Sequence, residues 1–297
     1  MSLLYSLAEL RTPFVESLAL FFTTLAEQTV AIALVCAVYW CIDKKSGLLV
    51  GISFLLSGLL IQGLKITFRI SRPWVLDPDF EPAEGALETA TGYSFPSGHT
   101  QSATSLYSSI GFLSKKKAAL ALCCAVFFLA GLSRMVLGVH TPLDVFVSMG
   151  LSLLISGAVV LWGTRRGDKP LGAKPCVFMA LLCAALSLYS LLLWKNGTIE
   201  LEYALDSLKS AGAGLGFALG VFLEERYISF KTETARLWQQ PLKLLIGLGL
   251  TTALRSGMKA LIPESPMSAL LSHFLLIFFV IAIYPLIIKR FFAPKEA

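Results

Sequence analysis

Charged residues are scarce in this 297-residue chain, at 15% of the total, against about 25% in a typical soluble domain. Hydrophobic residues make up 56%, so too few charges are present to cover a water-soluble fold of this size. Aromatic residues at 11%, together with long apolar runs, also exclude a disordered chain. The composition therefore predicts a membrane protein that crosses the bilayer several times.

Cysteine and histidine are also few, at six and three residues. The cysteines lie in or beside apolar runs, and none has a CxxC or Cys/His spacing typical of zinc. We interpret them as small packing residues, and we expect neither a metal nor a cofactor. The N-terminal stretch has no basic region and no small-residue cleavage site, so we expect no removable signal peptide.

Apolar segments are the dominant pattern of the chain. A membrane span needs roughly 20 such residues, and about nine segments qualify: residues 28–42, 47–69, 99–114, 118–138, 144–163, 175–194, 207–224, 242–261 and 268–288. Each must be helical, because unpaired backbone cannot face lipid. Residues 12–25 precede these segments, and their pattern predicts an amphipathic or re-entrant helix near the membrane interface. The predicted fold class is all-α, a polytopic helical bundle.

Basic residues are clustered in alternate loops between the apolar segments. These loops hold 16 of the 25 Lys and Arg residues, which predicts that they face the cytoplasm. The same distribution explains the net charge of +6 without a nucleic-acid partner. The long loop 73–98 then lies on the non-cytoplasmic side, together with most of the chemically reactive residues.

Three polar clusters fall at that side, where ionisable residues are costly and usually functional. Lys65 and Arg72 are seven residues apart, which predicts that they project from one face of a continuous helix. With Arg134 they form a set of three cations suited to phosphoryl oxygens. Ser97 and Gly98 precede a predicted helix, whose first N–H groups can bind an anion.

A histidine and an aspartate complete these clusters. The carboxylate of Asp144 can hold one ring nitrogen of His140, which leaves the other nitrogen to attack phosphorus. Pro142 suits the first turn of the helix that carries Asp144. His99 is left as the proton donor to the leaving oxygen.

At these residues the chain resembles the type 2 phosphatidic acid phosphatase (PAP2) family. The family pattern K-x6-R-P, P-S-G-H and S-R-x5-H-x3-D reads here as KITFRISRP from Lys65, PSGH from Pro96 and SRMVLGVHTPLD from Ser133. The resemblance implies a metal-independent membrane lipid phosphatase with a phosphohistidine on His140. It assigns Asp144 to orient His140 and His99 to act as general acid. The implied phosphate-binding residues are Lys65, Arg72, Ser97, Gly98 and Arg134.

The apolar segments, the basic loops and this resemblance together predict an organisation of the chain and a location. We expect an N-terminal interfacial or re-entrant helix over residues 1–27 and a PAP2-like catalytic core over residues 28–195. Additional transmembrane helices would form a C-terminal extension over residues 196–297. The expected location is the cell membrane, with the active site facing the non-cytoplasmic side and a lipid phosphate as the partner.

Several alternatives stay open from the sequence. The same residues would serve a phosphotransferase, and a lipid-binding or transport protein could keep the fold without the chemistry. Among substrates, phosphatidic acid and other monoesters compete with undecaprenyl diphosphate, which has the better leaving group and is favoured here. Gly212, Gly216 and Gly220 have the spacing for close helix packing, within the chain or in a homodimer.

Overall fold

The computed structural model describes residues 1–234, 236–292 and 294, and every regular element in these residues is helical. The first helices are α1 (Ser2–Glu9), α2 (Pro13–Thr24), α3 (Gln28–Cys36), α4 (Lys44–Phe68), α5 (Pro73–Leu76), α6 (Glu84–Leu87) and α7 (Gly98–Leu113). They are followed by α8 (Lys117–Val136), α9 (Pro142–Arg165), α10 (Ala173–Lys195), α11 (Leu201–Leu223), α12 (Gln239–Leu261), α13 (Pro266–Phe278) and α14 (Tyr284–Phe291). Three π-helical segments extend α3, α11 and α13, over Ala37–Ile42, Glu224–Ile228 and Phe279–Ile283. The all-α prediction is confirmed.

Helices lie at all nine predicted spans, but fewer of them have the length and apolarity to cross a membrane. Among the described residues five helices do, and the bent pair Pro13–Thr24 and Gln28–Ile42 makes six if it counts as one span. The predicted spans at α7, α11 and α12 fall short of that length or apolarity. Helix α7 has only 16 residues, and serine, threonine and glutamine are frequent along it. The chain is an integral membrane protein.

The chain divides into two compact units. The first comprises Met1–Ile32 and Leu49–Arg165, and the second comprises Ala33–Leu48 and Arg166–Ala297. The sequence-based division into residues 1–27, 28–195 and 196–297 stays a prediction, as does the orientation in the membrane. Lys295, one of the basic residues counted toward the cytoplasmic side, lies outside the described residues.

In the first unit, α7 packs against α8 and α9, and α2 packs against α8. Most of α7 is buried, although serine, threonine and glutamine are frequent along it. Gln101 Nε2 donates to Ser57 Oγ at 2.8 Å and to Ser105 Oγ at 3.2 Å. Such bonds satisfy polar side chains that would be costly in a membrane interior. An apolar cluster that includes Phe127, Val145 and Met149 fills the space beside them.

In the second unit, α11 packs against α10 and α13. The glycines of α11 make the close approach possible, because a side chain on Gly212 or Gly216 would collide with the carbonyls of Leu270 or Phe274. Gly220 likewise faces Ile281, where an added carbon would lie only 2.9 Å from Cβ. The predicted packing role of these glycines within the chain is confirmed. A homodimer stays a prediction.

Candidate active site

The first polar cluster of the sequence spans the end of the long helix α4 and the start of the short helix α5 rather than one continuous helix. Helix α4 ends at Phe68, Arg69 has a left-handed backbone with φ 52°, and Arg72 is the extended residue before α5. The expectation that Lys65 and Arg72 share one helical face is therefore wrong. Pro73 opposes one continuous helix, because it disfavours helical backbone in Arg72 and has no N–H to donate to the Arg69 carbonyl.

Lys65 and Arg72 nevertheless reach the same loop. The Lys65 ammonium donates to the Tyr93 carbonyl, and Arg72 donates to the carbonyls of Thr91 and Gly92. Both cations are 7% exposed. The break between α4 and α5 thus still brings the two charges to one place, against residues 91–93.

Arg72 also contacts the segment that carries His140. Its Nη1 atom lies 2.9 Å from the Val139 carbonyl oxygen and 2.9 Å from His140 Nε2. A guanidinium can only donate hydrogen bonds, so Nε2 must accept. The ring proton of a neutral His140 therefore sits on Nδ1.

Asp144 lies on the other side of the same ring, in the first turn of α9, which begins at Pro142 as predicted. Its Oδ2 atom is 3.4 Å from His140 Nδ1. The same oxygen accepts from the Thr141 backbone N–H at 2.7 Å and from Ser94 Oγ at 2.6 Å. The carboxylate is thus held in place beside the nitrogen that carries the proton.

The surroundings of His140 favour its neutral form. The ring is 1% exposed, and burial lowers its pKa well below the usual value. The positive charges of Arg72, Arg134 and Lys65 lower that pKa further. A neutral imidazole with its proton on Nδ1 has a lone pair on Nε2, and this is the form that can act as a nucleophile.

The second motif forms the N-terminus of α7. Ser97 is the N-cap and accepts from the Thr100 N–H at 3.3 Å, while its own N–H donates to the Asp144 carbonyl at 3.1 Å. A carbon added to Gly98 would lie 3.9 Å from Lys65 Cε. This helix end therefore lies beside a cation, which suits an anion. His99 follows in the first turn and is partly buried.

Arg134 supplies the third cation from the last turn of α8, with 0% exposure. Its Nη1 atom donates to Thr23 Oγ1 at 2.7 Å. Its Nε and Nη2 atoms are buried and have no hydrogen-bond partner among the described residues. A buried cation with two such donors fits an anionic ligand, because a buried charge otherwise needs a partner.

The first unit thus contains all eight residues that the sequence singled out. Sequence reasoning missed Ser94, which contacts Asp144, and Thr23, which contacts Arg134. Neither carries a signal of its own, because serine and threonine are common and lie here outside the three motifs. Arg69 donates to the Ile66 carbonyl in the last turn of α4 at 3.4 Å.

The third histidine and the acidic residues of the loop 73–98 are not among these eight residues. His273 Nδ1 lies 3.1 Å from the Ala269 carbonyl oxygen in its own helix, which agrees with a packed histidine. Asp79, Glu81, Glu84 and Glu88 are exposed, while Asp77 accepts from the Tyr5 hydroxyl at 3.1 Å. In the part of the chain that the structure describes, no three His, Cys, Asp or Glu side chains are grouped to hold a metal ion.

The site thus places buried cations around a histidine–aspartate pair within a unit of membrane helices. These are the residues of the three PAP2 motifs. The family model of the PAP2 superfamily matches residues 46–168. A second model, PAP2 superfamily phosphatase, transmembrane extension, matches residues 208–296. The chain belongs to the PAP2 superfamily.

Phosphatidylglycerophosphatase B of Bacillus subtilis (strain 168) is a curated relative of this chain. It is 34% identical over 109 residues, which are 33% of this chain and 52% of the relative. The match thus spans about half the length of that protein. No solved structure matches the chain significantly.

Proposed function

We propose that the protein is an integral-membrane lipid phosphatase that works through a phosphohistidine on His140. The observation that carries the proposal is the position of the His140 ring, with Nε2 at 2.9 Å from Arg72 Nη1 and Nδ1 at 3.4 Å from Asp144 Oδ2. One nitrogen faces cations that suit a phosphoryl group, and the other faces a carboxylate that stabilises positive charge on the ring.

In the first step, His140 Nε2 forms a bond to phosphorus and the bond from phosphorus to the leaving oxygen breaks. His99 gives its proton to that oxygen. Lys65, Arg72 and Arg134, with the N-terminus of α7, stabilise the charge on the equatorial oxygens. Asp144 stabilises the imidazolium.

In the second step, a water molecule attacks phosphorus and His99 takes its proton. The N–P bond breaks, the electron pair returns to Nε2, and inorganic phosphate is released. Only the cations and helix dipoles of the chain are needed for charge stabilisation in this scheme. A phosphotransferase would differ only in the acceptor of the second step.

The substrate proposed is a lipid phosphate whose tail lies in the bilayer, reached from the non-cytoplasmic face of the cell membrane. The site belongs to a unit of membrane helices, and the exposed acidic residues of the segment 79–88 disfavour soluble anions. The name of the Bacillus relative supports phosphatidylglycerophosphate as one candidate. Undecaprenyl diphosphate stays the favoured candidate because of its better leaving group.

Phosphate release by the purified protein tests this proposal. The panel is phosphatidic acid, phosphatidylglycerophosphate, undecaprenyl diphosphate and glucose 6-phosphate, with His140→Ala as the control. We expect release from the lipids, a higher kcat/KM for the diphosphate, and none from the sugar phosphate. A higher kcat/KM for either lipid monoester than for undecaprenyl diphosphate would overturn the diphosphate preference. A preference for glucose 6-phosphate would overturn the lipid assignment. An alcohol added as acceptor distinguishes transfer from hydrolysis.

A further inference from the structure

Helix α2 contributes a side chain to the candidate active site, although it precedes the residues that match the PAP2 superfamily. The Thr23 side chain is 3% exposed, and its Oγ1 accepts from Arg134 Nη1 at 2.7 Å. The neighbouring Thr24 differs, because it is exposed and its hydroxyl donates to the Leu20 carbonyl of its own helix at 2.9 Å. Thr23 thus bonds to α8, against which α2 packs.

The bond from Thr23 fixes the direction of the whole guanidinium. The group is planar and rigid, so holding one nitrogen sets the positions of the other two. Nε and Nη2 lie along one edge and form a fork that matches two oxygens of a phosphate. In this structure those are the two nitrogens of Arg134 that have no hydrogen-bond partner among the described residues. Thr89 Oγ1 also accepts from Arg134 Nη1, at the longer distance of 3.5 Å.

We propose that Thr23 is a positioning residue, which aims the Nε–Nη2 edge of Arg134 at the phosphoryl oxygens. The N-terminal helix α2 is then part of the phosphate-binding site rather than an anchor alone. This inference rests on the proposed function, since it assumes that Arg134 binds the phosphoryl group.

The experiment compares Thr23→Val, which keeps the shape and removes the hydroxyl, with Thr23→Ser, which keeps the hydroxyl. Thr24→Val is the matched control on the same helix. The readouts are kcat/KM for phosphatidic acid in mixed micelles and the inhibition constant of orthovanadate. Thermal unfolding and size-exclusion chromatography establish that each variant is folded. Thr23→Ala takes the place of the valine variant if that protein is not folded.

We expect Thr23→Val to lower kcat/KM about tenfold and to weaken vanadate inhibition by a similar factor, as for one hydrogen bond to a charged group. Thr23→Ser and Thr24→Val should stay near wild type. In an Arg134→Lys background, Thr23→Val should add little, because lysine has no fork to aim.

Three outcomes would overturn the inference: wild-type values for Thr23→Val, equal losses in the serine and valine variants, or a full additional loss in the Arg134→Lys background. Its failure is distinguishable from failure of the proposed function, which would show as no phosphate release from phosphatidic acid by the wild-type protein. Arg134→Lys with wild-type activity would remove the phosphate-binding role itself. A large loss in Arg134→Lys with an unaffected Thr23→Val would remove only the role of Thr23.

Discussion

The Nη1 atom of Arg72 lies 2.9 Å from Nε2 of His140, the nitrogen proposed to attack phosphorus. This contact identifies the ring tautomer, because arginine can only donate. It also places a positive charge beside the nitrogen at which the phosphoryl group would bind in the proposed reaction. In that reaction Arg72 would contact both the nucleophile and the group that it attacks.

Loss of the nucleophile should abolish turnover. We expect His140→Ala to lower kcat by several orders of magnitude, because the covalent step has no substitute group. Asp144→Asn should leave weak activity, since only the orientation and charge of the ring are damaged. Rapid quenching with labelled substrate should trap a phosphohistidine in the wild-type protein. A phosphohistidine that persists in His140→Ala would refute the assignment.

Ser94 should affect turnover because it holds the Asp144 carboxylate in place. Its hydroxyl is buried and donates to Oδ2 at 2.6 Å, so Ser94→Ala should lower kcat about tenfold with little change in KM. Ser53→Ala is a matched control, because Ser53 is also buried but donates to the Leu49 carbonyl of its own helix at 2.9 Å. Equal kinetics in the two variants would contradict a role for Ser94.

The pH profile should respond to the charge of Arg72. Its positive charge helps to lower the pKa of His140, so Nε2 stays unprotonated as the pH falls below about 6.5. Arg72→Gln removes that charge, and the pKa of His140 should rise. The acid limb of kcat/KM should therefore move to higher pH than in wild type on the same substrate. Lys117→Gln, an exposed residue at the start of α8, should not move it.

Activity should persist in excess EDTA. Lys65, Arg72 and Arg134 can together supply the charge stabilisation that Mg²⁺ gives in other phosphoryl transfers. Orthovanadate should inhibit, since it can take the pentacoordinate geometry on His140. The measurement is phosphate release with and without each reagent. Loss of activity in EDTA that Mg²⁺ restores would contradict metal independence.

The predicted orientation is open to chemical labelling. In a background without the six native cysteines, Glu84→Cys and Lys115→Cys each place a thiol at an exposed position. An impermeant thiol reagent added outside intact cells should label the first and not the second. The opposite labelling would place the candidate site on the cytoplasmic side.

The motif residues could be found from sequence because their side chains are chemically distinctive and costly in a membrane. The local path between them was less predictable. Lys65 and Arg72 were expected on one helix, yet the chain turns at Arg69 and restarts at Pro73. Thr23 and Ser94 gave no signal, because their importance comes only from contacts with Arg134 and Asp144, which are distant in sequence.

The membrane spans illustrate the same limit. The apolar pattern located the helices correctly, yet it counted α7 as an ordinary span. Burial of Thr100 and Gln101 within the first unit is a property of packing, and a polar helix of this kind is specified by its neighbours rather than by its own hydropathy.

Four acceptors that already bind Arg72 also affect how the product leaves. Its donors are bonded to the carbonyls of Thr91, Gly92 and Val139 and to the His140 ring. Inorganic phosphate must displace bonds of comparable quality to bind Arg72, so the contribution of Arg72 to its net affinity is only the difference between two sets of contacts. A lipid substrate has its tail as a further source of affinity, which is lost once the phosphate is cleaved. Product inhibition by free phosphate should accordingly be weak.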